Sequence, residues 1–225
     1  MSHADRLTVY QTLLAEGLLP LFYHAELEQA KAVVAALAEG GCHLVEFTNR
    51  GPFALETFAG LVKHCAQSHP QMMIGVGSLQ DAPTAALFAA YGAAFVVSPI
   101  FSEEIARLCN RRKLAYLPGC GSLQEIALAE EWGAEIVKAF PGEAIGGPAF
   151  IKAVLGPRPW SKIMPTGGVS PDEANLAAWF GAGVACVGIG SQLIRPDWLA
   201  NQDYQAISAL TQRTLGTIQT LRSPG

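Results

Sequence analysis

The chain has 225 residues, 50% of them hydrophobic and 15% charged. That is enough to bury a sizeable core, and too apolar to remain disordered. Fifteen Lys and Arg stand against 19 Asp and Glu, for a formal net charge of −4, which leaves no basic surplus to neutralise a nucleic-acid backbone.

The first residues, Met1-Ser2-His3-Ala4-Asp5-Arg6, carry neither a long apolar stretch nor a small-residue cleavage site, so no signal peptide is expected. No apolar run approaches the roughly 20 residues that a membrane-spanning helix needs. A cytoplasmic protein with no membrane partner is the expectation. Short apolar runs then alternate with amphipathic segments eight times, at residues 18–23, 43–48, 72–75, 94–98, 115–118, 135–140, 163–166 and 184–188. Each run is nearly continuous and rich in Val, Ile, Leu and Phe, as strands buried on both faces are. Behind the first, Leu27–Glu39 sets Ala30, Val33, Val34 and Leu37 along one side of a helix.

The run centres fall about 21 to 28 residues apart, the length of one strand-plus-helix unit. Eight units predict an α/β fold closed as a (β/α)₈ TIM barrel rather than an open sheet of five or six strands. No Pro/Gly/Ser linker divides the chain, so residues 1–225 read as one domain, with a helical C-terminal extension after Pro196. The segments 78–81, 122–125 and 170–173 each set Ser three residues before an acid, the spacing of a capping box, with Pro171 at a first helical position. Each follows a strand and so marks the C-terminal rim, where barrel chemistry sits.

Glu46 is the first anomaly met along the chain. In His43-Leu44-Val45-Glu46-Phe47-Thr48 a carboxylate interrupts an apolar strand, on one face with Leu44 and Thr48. A carboxyl buried there could pass protons in catalysis, or form a structural ion pair with Arg50 or another barrel residue. Arg50, at the strand's mouth, is also placed to hold a substrate carboxylate with both arms of its fork. The cysteines (Cys42, Cys65, Cys109, Cys120, Cys186) are odd in number and set in apolar sequence, the pattern of reduced, buried thiols. Their spacing to His, Asp and Glu suggests no metal site.

Lys138 is the second anomaly. Glu135-Ile136-Val137-Lys138-Ala139-Phe140-Pro141 puts a lysine late in an apolar strand, with Ile136 and Phe140 on its face. Facing into the barrel, it would be desolvated, which favours the neutral amine of Schiff-base chemistry; facing out, it would snorkel to solvent. Gly-x-Gly-Ser occurs at 75–78, 119–122 and 188–191. The first two carry an acid three residues after the serine, whereas the third carries Ile194. The third, with Pro165-Thr166-Gly167-Gly168-Val169, therefore reads as an anion site after strands seven and eight, at a helix beginning with Ser191. Ser98-Pro99 and Phe140 read as pocket walls.

Taken together and in order, Gly40-Gly41 before Glu46-Phe47-Thr48, Gly75-Val76-Gly77-Ser78, Ser98-Pro99, Pro118-Gly119, Val137-Lys138-Ala139-Phe140-Pro141-Gly142-Glu143, Pro165-Thr166-Gly167-Gly168 and Gly188-Ile189-Gly190-Ser191 resemble one family. It is the class I 2-keto-3-deoxy-6-phosphogluconate (KDPG) / 4-hydroxy-2-oxoglutarate (KHG) aldolases. The resemblance implies reversible cleavage of a 2-keto-3-deoxy-6-phospho sugar acid to pyruvate and glyceraldehyde 3-phosphate, or of the smaller 4-hydroxy-2-oxoglutarate to pyruvate and glyoxylate. It implies no metal and no cofactor.

Lys138 would form the Schiff base and Glu46 would be the general acid and base. Arg50 and Thr166 would hold the pyruvate portion, Ser78, Pro99 and Phe140 would line the pocket, and Gly167, Gly168, Gly190 and Ser191 would take the phosphate. A homotrimer is implied as well. The chain departs from the common pattern at Asn49-Arg50-Gly51 (often Leu-Arg-Thr), Ser78 (often Thr), Ile100 (often Gly) and Tyr23 (Arg in some members). Two other readings stand beside this one: a metal-free sugar-phosphate isomerase or epimerase with Glu46 as base, and a non-catalytic sugar-phosphate binder.

Overall fold

Strands and helices alternate along the computed structural model, which describes residues 5–223. The strands are β1 Leu18–Phe22, β2 Leu44–Thr48, β3 Met73–Gly77, β4 Phe95–Val97, β5 Ala115–Leu117, β6 Gly119–Cys120, β7 Val137–Ala139, β8 Ile163–Pro165 and β9 Val187–Ile189. The helices are α1 Arg6–Glu16, α2 Leu27–Glu39, α3 Ala54–Ser68, α4 Ala82–Ala90, α5 Glu103–Arg112, α6 Leu123–Glu131, α7 Gly147–Leu155, α8 Glu173–Gly181, α9 Pro196–Ala200 and α10 Tyr204–Arg222.

All strand pairs are parallel, in the orders β5-β4-β3-β2-β1-β9 and β6-β7-β8. Pro118 has no N–H to give the ladder and divides the expected fifth strand into β5 and β6. At the other seam, Thr166 bridges Gly188, and the Ala185 amide donates to the Ile163 carbonyl at 2.9 Å. The result is a partly open barrel with eight strand positions.

Period-two alternation sorts the side chains into two cores. Leu19, Leu44, Phe95, Val97, Ala115, Leu117, Ile136, Met164 and Cys186 fill the barrel's interior. The intervening residues, among them Val45, Phe47, Val76, Val96, Val137, Ile163 and Val187, pack outward under the helices. This sorting turns Glu46 and Lys138 inward with Leu44 and Ile136.

Helix α1 precedes the first strand and so lies outside the strand-then-helix repeat read from the sequence. It plugs the N-terminal end, sending Val9, Tyr10 and Leu13 into the interior core. The Tyr10 hydroxyl donates to the Tyr116 carbonyl at 3.1 Å and accepts from the Tyr116 amide at 3.0 Å. Helix α10 packs against α2 and α8, so the C-terminal segment completes the helical ring. Among the described residues, no helix is long and apolar enough to cross a membrane.

Two of the three expected capping boxes are corrected. Ser122 does cap α6, accepting from the Glu125 amide at 3.2 Å, while Glu125 accepts from the Gly121 amide at 2.7 Å. At the other two joints the acid is itself the cap. Asp81 accepts from the Thr84 amide at 2.7 Å, and Asp172 accepts from the Asn175 amide at 3.2 Å. Asp caps as well as Ser does, so each loop runs three or two residues longer before its helix starts. The helix expected at Ser191 is a single turn, in which Leu193 and Ile194 both donate to the Gly190 carbonyl; Pro196 then opens the short α9.

Candidate active site

Lys138 is the middle residue of β7, held by its amide donating to the Pro118 carbonyl at 2.8 Å. Its side chain points inward and is 6% exposed; Glu46, the third residue of β2, is 1% exposed. Lys138 Nζ lies 4.0 Å from Glu46 Oε2 and 5.1 Å from the centre of the Phe140 ring. At 4.0 Å the charged groups attract without a direct hydrogen bond, and Glu46 Oε2 has no hydrogen-bond partner. A buried carboxylate oxygen left this way is costly in a purely structural role, so it is poised to serve a bound molecule. Arg50 is not its partner.

The room for that carboxylate comes from β3. Residue 77 faces inward beside Thr48 in the β2–β3 register, and a Cβ there would overlap Oε1 and Cδ of Glu46. Gly77 therefore has a steric role that the sequence reading, which treated Gly75-Val76-Gly77-Ser78 as a capping turn, did not find. One residue on, Ser78 adopts a positive φ of 62°, and its hydroxyl accepts from Arg50 Nε at 3.4 Å. Arg50 is exposed at the mouth of β2.

Across the barrel, Thr166 is 6% exposed and its hydroxyl oxygen also lacks a partner. Gly167 and Gly168 follow with φ of 91° and 79°, backbone that side chains rarely adopt. They fold the loop against the segment after β7: the Gly142 amide donates to the Thr166 carbonyl at 2.8 Å, and the Glu143 amide to the Gly167 carbonyl at 3.0 Å.

These groups share a cavity of about 700 Å³ at the C-terminal end, lined by Arg50, Phe140, Thr166, Gly167, Gly168, Gly190 and Ser191. Thr48 and Phe140 line it too, and Glu46 and Lys138 are the next inward residues down their strands. The acid–amine pair thus sits one layer beneath the cavity. Ser78 joins through Arg50. Pro99 is not brought to this cavity: its carbonyl packs against Gly119, and the Ser98 hydroxyl beside it is tied to the Tyr116 hydroxyl at 2.7 Å and the Ile100 carbonyl at 2.5 Å.

Glu143 and Tyr23 are among the lining residues that were not assigned from sequence. Glu143 folds its side chain against Gly168, where any Cβ would overlap it; the acid just after Phe140-Pro141-Gly142 was the available signal. Tyr23 lies over Gly51, and the joint departure at these two positions was the signal for it.

Comparison with known proteins gives the family. The family profile described as KDPG and KHG aldolase matches residues 9–210. The 2-dehydro-3-deoxy-phosphogluconate aldolase of Treponema pallidum (strain Nichols) is 31% identical over 209 residues, 93% of this chain and 97% of its own. The Pseudomonas aeruginosa aldolase of that name is 35% identical, over 80% of this chain and 79% of its own. Among solved structures, KDPG aldolase from Legionella pneumophila, with pyruvate captured as a covalent carbinolamine, superposes with a TM-score of 0.81 at 29% identity, covering 89% of this chain and 95% of that one. With its buried lysine and carboxylate beneath a glycine-walled cavity, the chain belongs to the KDPG and KHG aldolase family, a family of carbon–carbon lyases.

Proposed function

We propose that the chain is a class I aldolase that reversibly cleaves a 2-keto-3-deoxy-6-phospho sugar acid to pyruvate and glyceraldehyde 3-phosphate. The observation that carries the reading is the buried pair, Lys138 Nζ 4.0 Å from an unpartnered Glu46 Oε2. The neutral amine of Lys138 attacks the C2 carbonyl, and the carbinolamine loses water to an iminium ion. Glu46 takes the C4 hydroxyl proton as the C3–C4 bond breaks, and the bonding electrons flow into the iminium to leave an enamine rather than a free carbanion. Glu46 returns a proton to C3, and water then releases pyruvate.

In this reading Arg50 and Thr166 hold the carboxylate of the pyruvate half, the latter with its unpartnered hydroxyl. Phe140 walls the cavity beside Lys138, Ser78 steadies Arg50, and Pro99 supports the opposite wall from outside the cavity. The backbone at Gly167, Gly168 and Gly190, with Ser191, takes the phosphate. The protein acts as a homotrimer in the cytoplasm, a reading supported by large apolar side chains left in solvent, such as Phe53 and Ile100, and by five free cysteines of the kind a reducing compartment maintains.

The Glu143 side chain against Gly168 favours a second reading. A carboxylate there opposes a phosphate dianion, whereas 4-hydroxy-2-oxoglutarate, cleaved to pyruvate and glyoxylate, is too short to reach it. Cleavage rates on the two substrates choose between them. The shared mechanism is tested by treating the protein with pyruvate and borohydride. A mass increase at Lys138, absent from Lys138→Ala, supports it, and no adduct on wild type in the presence of bound pyruvate overturns it.

A further inference from the structure

We propose that Tyr23 is a specificity-determining residue, its hydroxyl binding the alcohol group of the aldehyde-derived half of the substrate. The proposal rests on the aldolase reading above and concerns what that reaction accepts. Tyr23 follows β1 and lines the cavity, half-buried. The Phe47 ring flanks it, with centroids 5.7 Å apart and planes at 58°.

What fixes the phenol is its seat. A Cβ on residue 51 would overlap the Tyr23 hydroxyl oxygen and stand 2.6 Å from Cζ and 3.2 Å from Cε1. The end of the ring therefore lies on the backbone of Gly51, directly after Arg50. Gly51 is not among the residues of positive φ, so glycine is required there by this contact and not by the turn. A tyrosine and a glycine 28 positions apart form one fitted unit at the mouth of the site.

The sheet order says what passes over that unit. β1 lies between β2 and β9, so Tyr23 stands between Arg50, at the end of β2, and the Gly188–Ser191 loop at the end of β9. A substrate with its carboxylate at Arg50 and its tail toward Gly190 crosses the end of β1 with its middle carbons. A phenol hydroxyl both donates and accepts, which suits an alcohol. It has no positive charge to offer a dianion. The group matched is the hydroxyl on the carbon beside the aldehyde carbon of the acceptor.

The test is condensation with pyruvate, comparing glyceraldehyde 3-phosphate with 3-oxopropyl phosphate, the same aldehyde without that hydroxyl. Tyr23→Phe keeps the ring and removes only the oxygen. Its kcat/KM should fall about three- to tenfold with glyceraldehyde 3-phosphate, the worth of one hydrogen bond, and stay at the wild-type value with the deoxy acceptor. Gly51→Ala, which displaces the phenol, should show the same selective loss. Both variants should form the pyruvate–borohydride adduct on Lys138 at the wild-type level. Equal losses on the two acceptors, or no loss on either, overturn the proposal while leaving the adduct, and so the aldolase mechanism, in place. Absence of the adduct from wild type overturns the mechanism itself, and this assignment with it.

Discussion

Gly77→Ala asks whether Glu46, the acid of the proposed reacting pair, owes its position to an absent side chain. The new methyl would overlap Oε1 and Cδ of Glu46 and come within 2.7 Å of Cγ. Carbon atoms rest about 3.5–4.0 Å apart, so the carboxyl must withdraw by about 1 Å or more, changing its 4.0 Å spacing from Lys138 Nζ. A displacement of about 1 Å costs on the order of 100-fold in rate, and overpacking costs about 1–3 kcal/mol in stability. The variant should therefore unfold at lower urea concentration and lose about 100-fold in kcat, while still forming the pyruvate–borohydride adduct on Lys138.

Gly75→Ala is the control. Its methyl would overlap the Phe95 ring instead, so stability should fall by a similar about 1–3 kcal/mol with kcat near wild type. The three atoms nearest the Gly77→Ala methyl all belong to Glu46, so in a Glu46→Ala background most of its stability cost should vanish. Wild-type kcat in Gly77→Ala, or equal kcat losses in the two alanine variants, would refute the reasoning.

Three further outcomes are expected. Ser122→Ala should lose about 1 kcal/mol as the cap of α6, whereas Ser78→Ala should lose no cap, since Asp81 serves α4; equal urea midpoints for the two count against Asp81 as that cap. Burial pushes the Glu16 carboxyl above its ordinary value of 4.5, with His43 partly opposing. The folded chain thus holds that proton more tightly than the unfolded one, and the resulting stability is full below pH 4.5 and lost as pH rises through the folded value. Glu16→Gln should flatten the stability–pH curve just above pH 4.5; an unchanged slope refutes the assignment. Desolvation pushes the Cys65 thiol up to about 11, and Cys109, Cys120 and Cys186 up to about 12. A thiol reagent at about pH 8 should react with none of the five free cysteines before urea is added, and prompt labelling of the native protein contradicts that.

The barrel was legible because its signal is repeated. Eight buried parallel strands give eight apolar runs, and a polar residue inside one, such as Glu46 or Lys138, stands out against them. What the period could not resolve was local competition. Ser78 and Asp81 both suit a helix start, and only the path of the loop decides that Asp81 is the cap. The single plug helix α1 precedes the first strand, so it has no place in the strand-then-helix repeat that announced the others. Pro99 read as a wall because strand ends ring the site, but the cavity is lined without it.

Glycine was the residue type read least well, and the reason is physical. Read locally, Gly-x-Gly suggests a turn or an anion nest. In a barrel strand the same spacing places both glycines on the inward face, where they are the negative image of a large neighbour across the ladder. Gly75 makes way for Phe95, Gly77 for Glu46, and Gly188 for Thr166. Two of those three neighbours, Glu46 and Thr166, are buried polar side chains with an oxygen that lacks a partner. A paired inward glycine thus marks a place where the barrel gives up packing volume to seat something else. The same reasoning at the rim joins Gly51 to Tyr23. Where the missing side chain is replaced by an apolar ring the exchange is one of packing alone, as Gly75 and Phe95 show. Where it is replaced by a group with an unused hydrogen bond, the vacated volume positions chemistry, and the alanine substitutions separate the two cases by whether stability or turnover responds.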